Sequence, residues 1–69
     1  MKGIAGLKYG ASVSEALRLV AYAFRTASII EANLDARVLV GHALHLDRAK
    51  LIAQSDRILE AREVTVISA

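Results

Sequence analysis

The stretch from Asn33 to Arg48, NLDARVLVGHALHLDR, constrains this chain more than any other. Leu34, Val38, Leu39, Val40, Ala43, Leu44 and Leu46 recur at helical intervals yet spread over most of the circumference. The spacing predicts a helix contacted on several sides, hence a central one, running to about His45. Asn33 is placed to cap its first turn, and Asp35 puts a negative charge beside the positive end of the helix dipole. Nothing in the stretch pairs a nucleophile with a base, cradles a phosphate or cages a metal, so its chemistry by itself points to a small helical domain.

Length and composition narrow the setting. A chain of 69 residues is at most one small domain, and a domain of that size buries only about 60% of the surface its unfolded chain exposes. Aliphatic and alanine side chains must build the core, because the hydrophobic fraction is 55% but aromatics are only 4%. Such side chains suit closely approaching helices. Without cysteine there is neither a disulfide framework nor a thiolate zinc site, which fits a reducing cytoplasm. The formal charge of +2 is spread among interleaved acids, so no basic run points to nucleic acid. Arg18, Arg25, Glu31, Asp35 and Arg37 interrupt every window before the roughly 20 apolar residues of a membrane helix accumulate. Lys2 and Lys8 precede no apolar core with a small-residue cleavage site, so the beginning does not read as a secretory signal.

Taken in order, residues 1–11 hold three of the four glycines and only Ile4 and Leu7 as strong apolar side chains, and read as a flexible arm. Ser12-Val13-Ser14-Glu15 has the capping-box pattern and opens a first helix. Val13, Ala16, Leu17, Val20, Ala23, Phe24 and Ala27 form its apolar stripe. Ser28 to Ala32 is the connection to the central helix, with Ile29 turned inward. Asp47 caps a short third helix through Ala53, with Leu51 and Ile52 as its apolar contacts, and Gln54 to Arg57 is a loop followed by Ile58 and Leu59 as core plugs. The β-branched run Val64-Thr65-Val66-Ile67 has strand propensity, but it has no second strand to pair with, so a helix from Glu60 onward is expected. The whole reads as an all-α bundle of about four short helices, ending at Ala69 before the last one completes a packing face.

The spacing Leu34-Asp35-Ala36, Leu39, His42-Ala43-Leu44, Leu46-Asp47-Arg48-Ala49 and Leu51, with the entry Ser12-Val13-Ser14-Glu15-Ala16-Leu17, resembles the N-terminal domain of bacterial release-factor glutamine methyltransferases. The match runs from about Ser12 to Glu63. The resemblance implies that residues 12–69 are a helical substrate-recognition domain cut from a longer two-domain protein. That protein would use S-adenosylmethionine to methylate the glutamine of the Gly-Gly-Gln motif of peptide-chain release factors. Its partners are then a release factor and the catalytic domain, in the cytoplasm and away from any membrane. The family's Asn-Pro-Pro-aromatic motif and glycine-rich cofactor loop belong to the second domain. Neither fits here: the chain has no proline, and Gly3, Gly6 and Gly10 follow no strand. No catalytic, cofactor-binding or metal residue is therefore expected in this fragment. Three departures stand out. Ser28 and His45 occupy positions after the first and central helices where the family usually has glycine, and Glu60 stands where a Ser, Thr or Asp cap is usual, which predicts fraying of the last helix.

Arg18, Arg25, Arg37, Arg48, Lys50 and Arg57 are the candidate partner surface, with Tyr22 an interface anchor beside Arg18 and Arg25. His42, His45 and Asp47 share a helix end, but without a further ligand and supporting hydrogen bonds they read as structural. Two other function classes fit the composition. A small nucleic-acid-binding helical module would show steep salt dependence of DNA binding, although the central helix offers Arg37 alone among Leu and Val. A free-standing helical dimerisation domain would reveal itself in sedimentation.

Overall fold

The computed structural model describes residues 6–68, and the first five residues of the expected arm lie outside them. Four helices follow in order: α1 (Val13–Thr26), α2 (Ala32–Leu44), α3 (Arg48–Ala53) and α4 (Ala61–Ser68). The all-α expectation holds, and the β-branched run is helical. The extended contact among the described residues is a single bridge between Ser12 and Ile58.

α1 starts where its capping box lies. Glu15 donates its amide to Ser12 Oγ at 3.2 Å, and Ser12 donates its amide to Glu15 Oε1 at 2.9 Å. The two remaining donors of the first turn find partners across the bundle, Val13 N–H on the Arg57 carbonyl and Ser14 N–H on the Ser55 carbonyl, both at 2.9 Å. With Leu59 N–H on the Ala11 carbonyl at 2.8 Å, the loop before α4 is clamped onto the start of α1. Backbone groups that a helix start leaves orphaned thus become tertiary structure.

Residues 6–11 lie against the bundle. Gly6 and Gly10 adopt positive φ angles of 84° and 94°, and the chain turns back so that Leu7 packs against the core and Ala11 is buried. Glycine takes these positive φ angles without the steric cost an L side chain would meet.

The core is small and aliphatic. Val13, Val20 and Val40 are its fully buried side chains, joined by Ala16, Ala36, Leu44, Leu51, Leu59, Val64 and Ile67. α2 is central, since α1, α3 and α4 all pack against it. Its buried face is Ala32, Ala36, Val40, Gly41 and Leu44. The expectation that its apolar residues are covered all round fails: Leu34 and Leu39 are exposed and Val38 is 62% exposed. Ile29 and Ile58 face solvent instead of plugging the core, and Ile52 is 69% exposed, which leaves Leu51 as the buried contact of α3. The cap also differs. α2 follows Glu31 with no side-chain cap, because Asn33 sits inside the helix and its Oδ1 accepts from Arg25 at 3.1 Å.

Both α1 and α2 end in Schellman motifs without glycine. Ser28 has φ 65° and His45 φ 58°, with Ile29 N–H returning to the Phe24 carbonyl at 3.0 Å and Leu46 N–H to the Gly41 carbonyl at 2.9 Å. The left-handed conformation costs an L-residue roughly 1–2 kcal/mol, part of which glycine gives back in unfolded-chain entropy. Ser28→Gly and His45→Gly are each expected to stabilise the domain by about 0.5–1 kcal/mol, and their sum to appear in the double variant because the sites are independent. Urea titration checks this, and an unchanged midpoint contradicts it. Gly41 is glycine for another reason: a Cβ there would lie 2.8 Å from the Leu46 carbonyl oxygen, so the return of the chain into α3 depends on a missing side chain.

Candidate docking surface

The sequence names six cations, and the fold gathers five of them, from three helices, along one band of clefts. Arg18 and Arg25, seven residues apart on α1, share a cleft of about 200 Å³ with Arg37 of α2. Its walls are Leu17, Ala21, Asn33 and Ala36. Arg37 also borders a second cleft, of about 240 Å³, with Leu34, Val38, His42, Leu46 and Arg48. A third and more open one continues past His42 to His45, Asp47 and Lys50. Arg18, Arg25, Arg37, Arg48 and Lys50 therefore line neighbouring depressions, although their positions in the sequence span more than thirty residues. Tyr22 is 59% exposed on α1 and lines none of the three.

The exposed apolar residues of α2 gain a meaning here. Leu34, Val38 and His42 are four residues apart and share one helix face, opposite the buried Ala36 and Val40. An apolar stripe interleaved with arginine has the composition of a protein interface core. Asp47 holds the start of α3 through the Lys50 amide at 2.9 Å, so the capping expectation for it is met and its carboxylate is already engaged.

Arg57 behaves differently from the other cations. Its guanidinium donates to both carboxylate oxygens of Glu63, at 3.0 and 3.2 Å, and its Nε donates to Gln54 Oε1 at 3.0 Å. Glu63 is only 6% exposed, and its Oε1 also accepts the Glu60 amide at 2.8 Å. Hydrogen bonding from Arg57 holds the Glu63 carboxyl below its ordinary value; burial opposes this and the Glu60 amide reinforces it. The start of α4 is thus fixed by an acid at its third position reaching back, where the poor cap Glu60 predicted fraying. Arg57 is a structural residue, and the sequence signal for it was the glutamate at the third position of the last helix.

Among the described residues no group of three or more His, Cys, Asp or Glu could hold a metal ion, and no helix is long and apolar enough to cross a membrane. Gly6 and Gly10 lie in turns ahead of α1, and a Cβ at Gly10 would meet nothing within 4 Å, so no close approach is reserved there.

A family model described as the PrmC N-terminal domain matches residues 15–69. The chain is also 46% identical over 59 residues to the release factor glutamine methyltransferase of Bradyrhizobium diazoefficiens, an alignment covering 86% of this chain and 20% of that protein. The chain thus spans about a fifth of the length of the curated relative it matches. No solved structure matches it.

Proposed function

Since the chain belongs to the PrmC N-terminal domain family, we propose that it is the substrate-recognition and docking domain of an S-adenosylmethionine-dependent methyltransferase that modifies the Gly-Gly-Gln glutamine of peptide-chain release factors. The observation that carries the docking role is the convergence of Arg37, Arg48, Leu34 and Val38 on one cleft of α2 and α3. Arginine beside exposed aliphatic side chains favours a protein partner over nucleic acid, whose recognition would ask for a broader basic face. The domain binds and orients the release factor. Methyl transfer to the side-chain nitrogen, and the cofactor itself, belong to the rest of a protein of the relative's length, acting in the cytoplasm.

Binding energy spent by a remote domain shows in the affinity for a large substrate and not for a short one. In the full methyltransferase, Arg37→Glu with Val38→Asp is expected to raise the KM for intact release factor, relative to that for a short Gly-Gly-Gln peptide, by about tenfold. Steady-state methylation of the two substrates measures the ratio. Equal changes for both substrates contradict the docking role.

A further inference from the structure

We propose that the cleft between α1 and α2 is a carboxylate site, which takes a Glu or Asp side chain from an acidic segment of a protein partner. The proposal rests on the docking reading for the identity of that partner, and for nothing else. Arg18, Arg25 and Arg37 reach this cleft from two helices. The ion pairs among the described residues are Arg57 with Glu63 and Arg62 with Glu60, so none of the three cleft guanidinium groups has a carboxylate partner there. Arg25 spends one N–H on Asn33 Oδ1 at 3.1 Å, which ties its planar group to α2 and leaves its other donors available. Three converging cations repel one another. A carboxylate between them removes that repulsion and accepts paired hydrogen bonds in the fork geometry arginine presents. Leu17, Ala21 and Ala36 form an apolar lining that offers the carboxylate no competing hydrogen-bond donor besides the arginines and Asn33.

A phosphate would feel the same attraction, yet one observation favours a protein segment. The neighbouring cleft shares Arg37 but is otherwise bordered by Leu34, Val38 and Leu46, an apolar surface that suits side chains flanking an acid.

The probe is end-blocked hexaglutamate, titrated at low ionic strength into the isotope-labelled chain and followed by backbone amide shifts. Saturable shifts confined to the neighbourhood of Arg18, Arg25, Asn33 and Arg37 are expected, with no response to hexalysine. Arg37→Ala should weaken binding about tenfold with its thermal midpoint within a degree or two of the parent, whereas Arg62→Ala on α4 should leave it unaltered. Absent shifts, or shifts spread equally over Arg48, Lys50 and Arg62 and insensitive to Arg37→Ala, overturn the site. So does hexauridylate occupying the cleft more tightly than hexaglutamate, which would assign it to nucleic acid. No release factor enters this experiment, so its failure leaves the docking role intact, and failure of the KM ratio leaves this result standing.

Discussion

Arg57→Ala is expected to cost about 3 kcal/mol, the largest loss from any single charged residue of the domain. Removing one member of a buried ion pair typically costs 3–5 kcal/mol, because the other is left uncompensated. The lower end applies because the Arg57 side chain is 32% exposed and water reaches it. What remains in the variant is the Glu63 carboxylate, 7% exposed in its side chain, with the Glu60 amide as its partner at 2.8 Å. For a chain of this size total stability is only about 3–10 kcal/mol, so the thermal midpoint should fall by on the order of 10–20 °C. Glu63→Gln keeps an oxygen for the Glu60 amide and should cost less, about 1–2 kcal/mol.

Acid titration separates this account from a packing effect. The folded Glu63 carboxyl titrates below its unfolded value, so the unfolded chain binds more protons in that window and stability rises with pH there. The contribution is complete above the ordinary glutamate value of about 4.3 and is lost as pH falls through the lower folded one. In Arg57→Ala, burial, the Glu60 amide and the more distant charge of Arg62 are what still act on Glu63, and the acid-side loss should flatten. Thermal melts between acid and neutral pH measure it; parallel slopes in parent and variant contradict the assignment.

Leu51→Ala should have the second large effect, about 2–5 kcal/mol, and should act locally. α3 has six residues, of which Leu51 is the buried one, so losing its contact detaches the whole turn that carries Arg48 and Lys50. Hydrogen exchange is expected to show the Leu51 and Gln54 amides unprotected while those of α1 stay slow. Ile52→Ala, on the same helix but 69% exposed, should change stability by no more than about 0.5 kcal/mol. Equal effects at the two positions would mean that α3 is not held through Leu51.

The parts of this fold that were legible in the sequence are those decided within one turn of helix. Ser12 with Glu15 marked the start of α1, and Asp47 the start of α3, because caps act over three residues. Asn33 misled for the opposite reason: its Oδ1 is engaged by Arg25 from another helix, and α2 begins without a side-chain cap. The apolar excess of α2 was read as burial on all sides, whereas Leu34 and Val38 are exposed. That excess supplies the proposed docking feature, and a single sequence cannot tell covered from presented aliphatic residues. Ser28 and His45 were recognisable as residues uneasy in a left-handed cap, and both do adopt it. The candidate cations could be named one by one. That Arg18 and Arg25 meet Arg37 across two helices, while Arg57 turns inward to Glu63, depends on the α1–α2 packing and on the clamp between Ser55, Arg57 and the start of α1.

Whether this domain docks the substrate is tested most directly by titrating the isotope-labelled chain with a purified peptide-chain release factor and following its backbone amides. Shifts are expected along the band from Arg18 and Tyr22 through Leu34, Arg37 and Val38 to Arg48 and Lys50. Absence of shifts at saturating release factor, or shifts confined to α4 and the opposite face, would contradict the docking role.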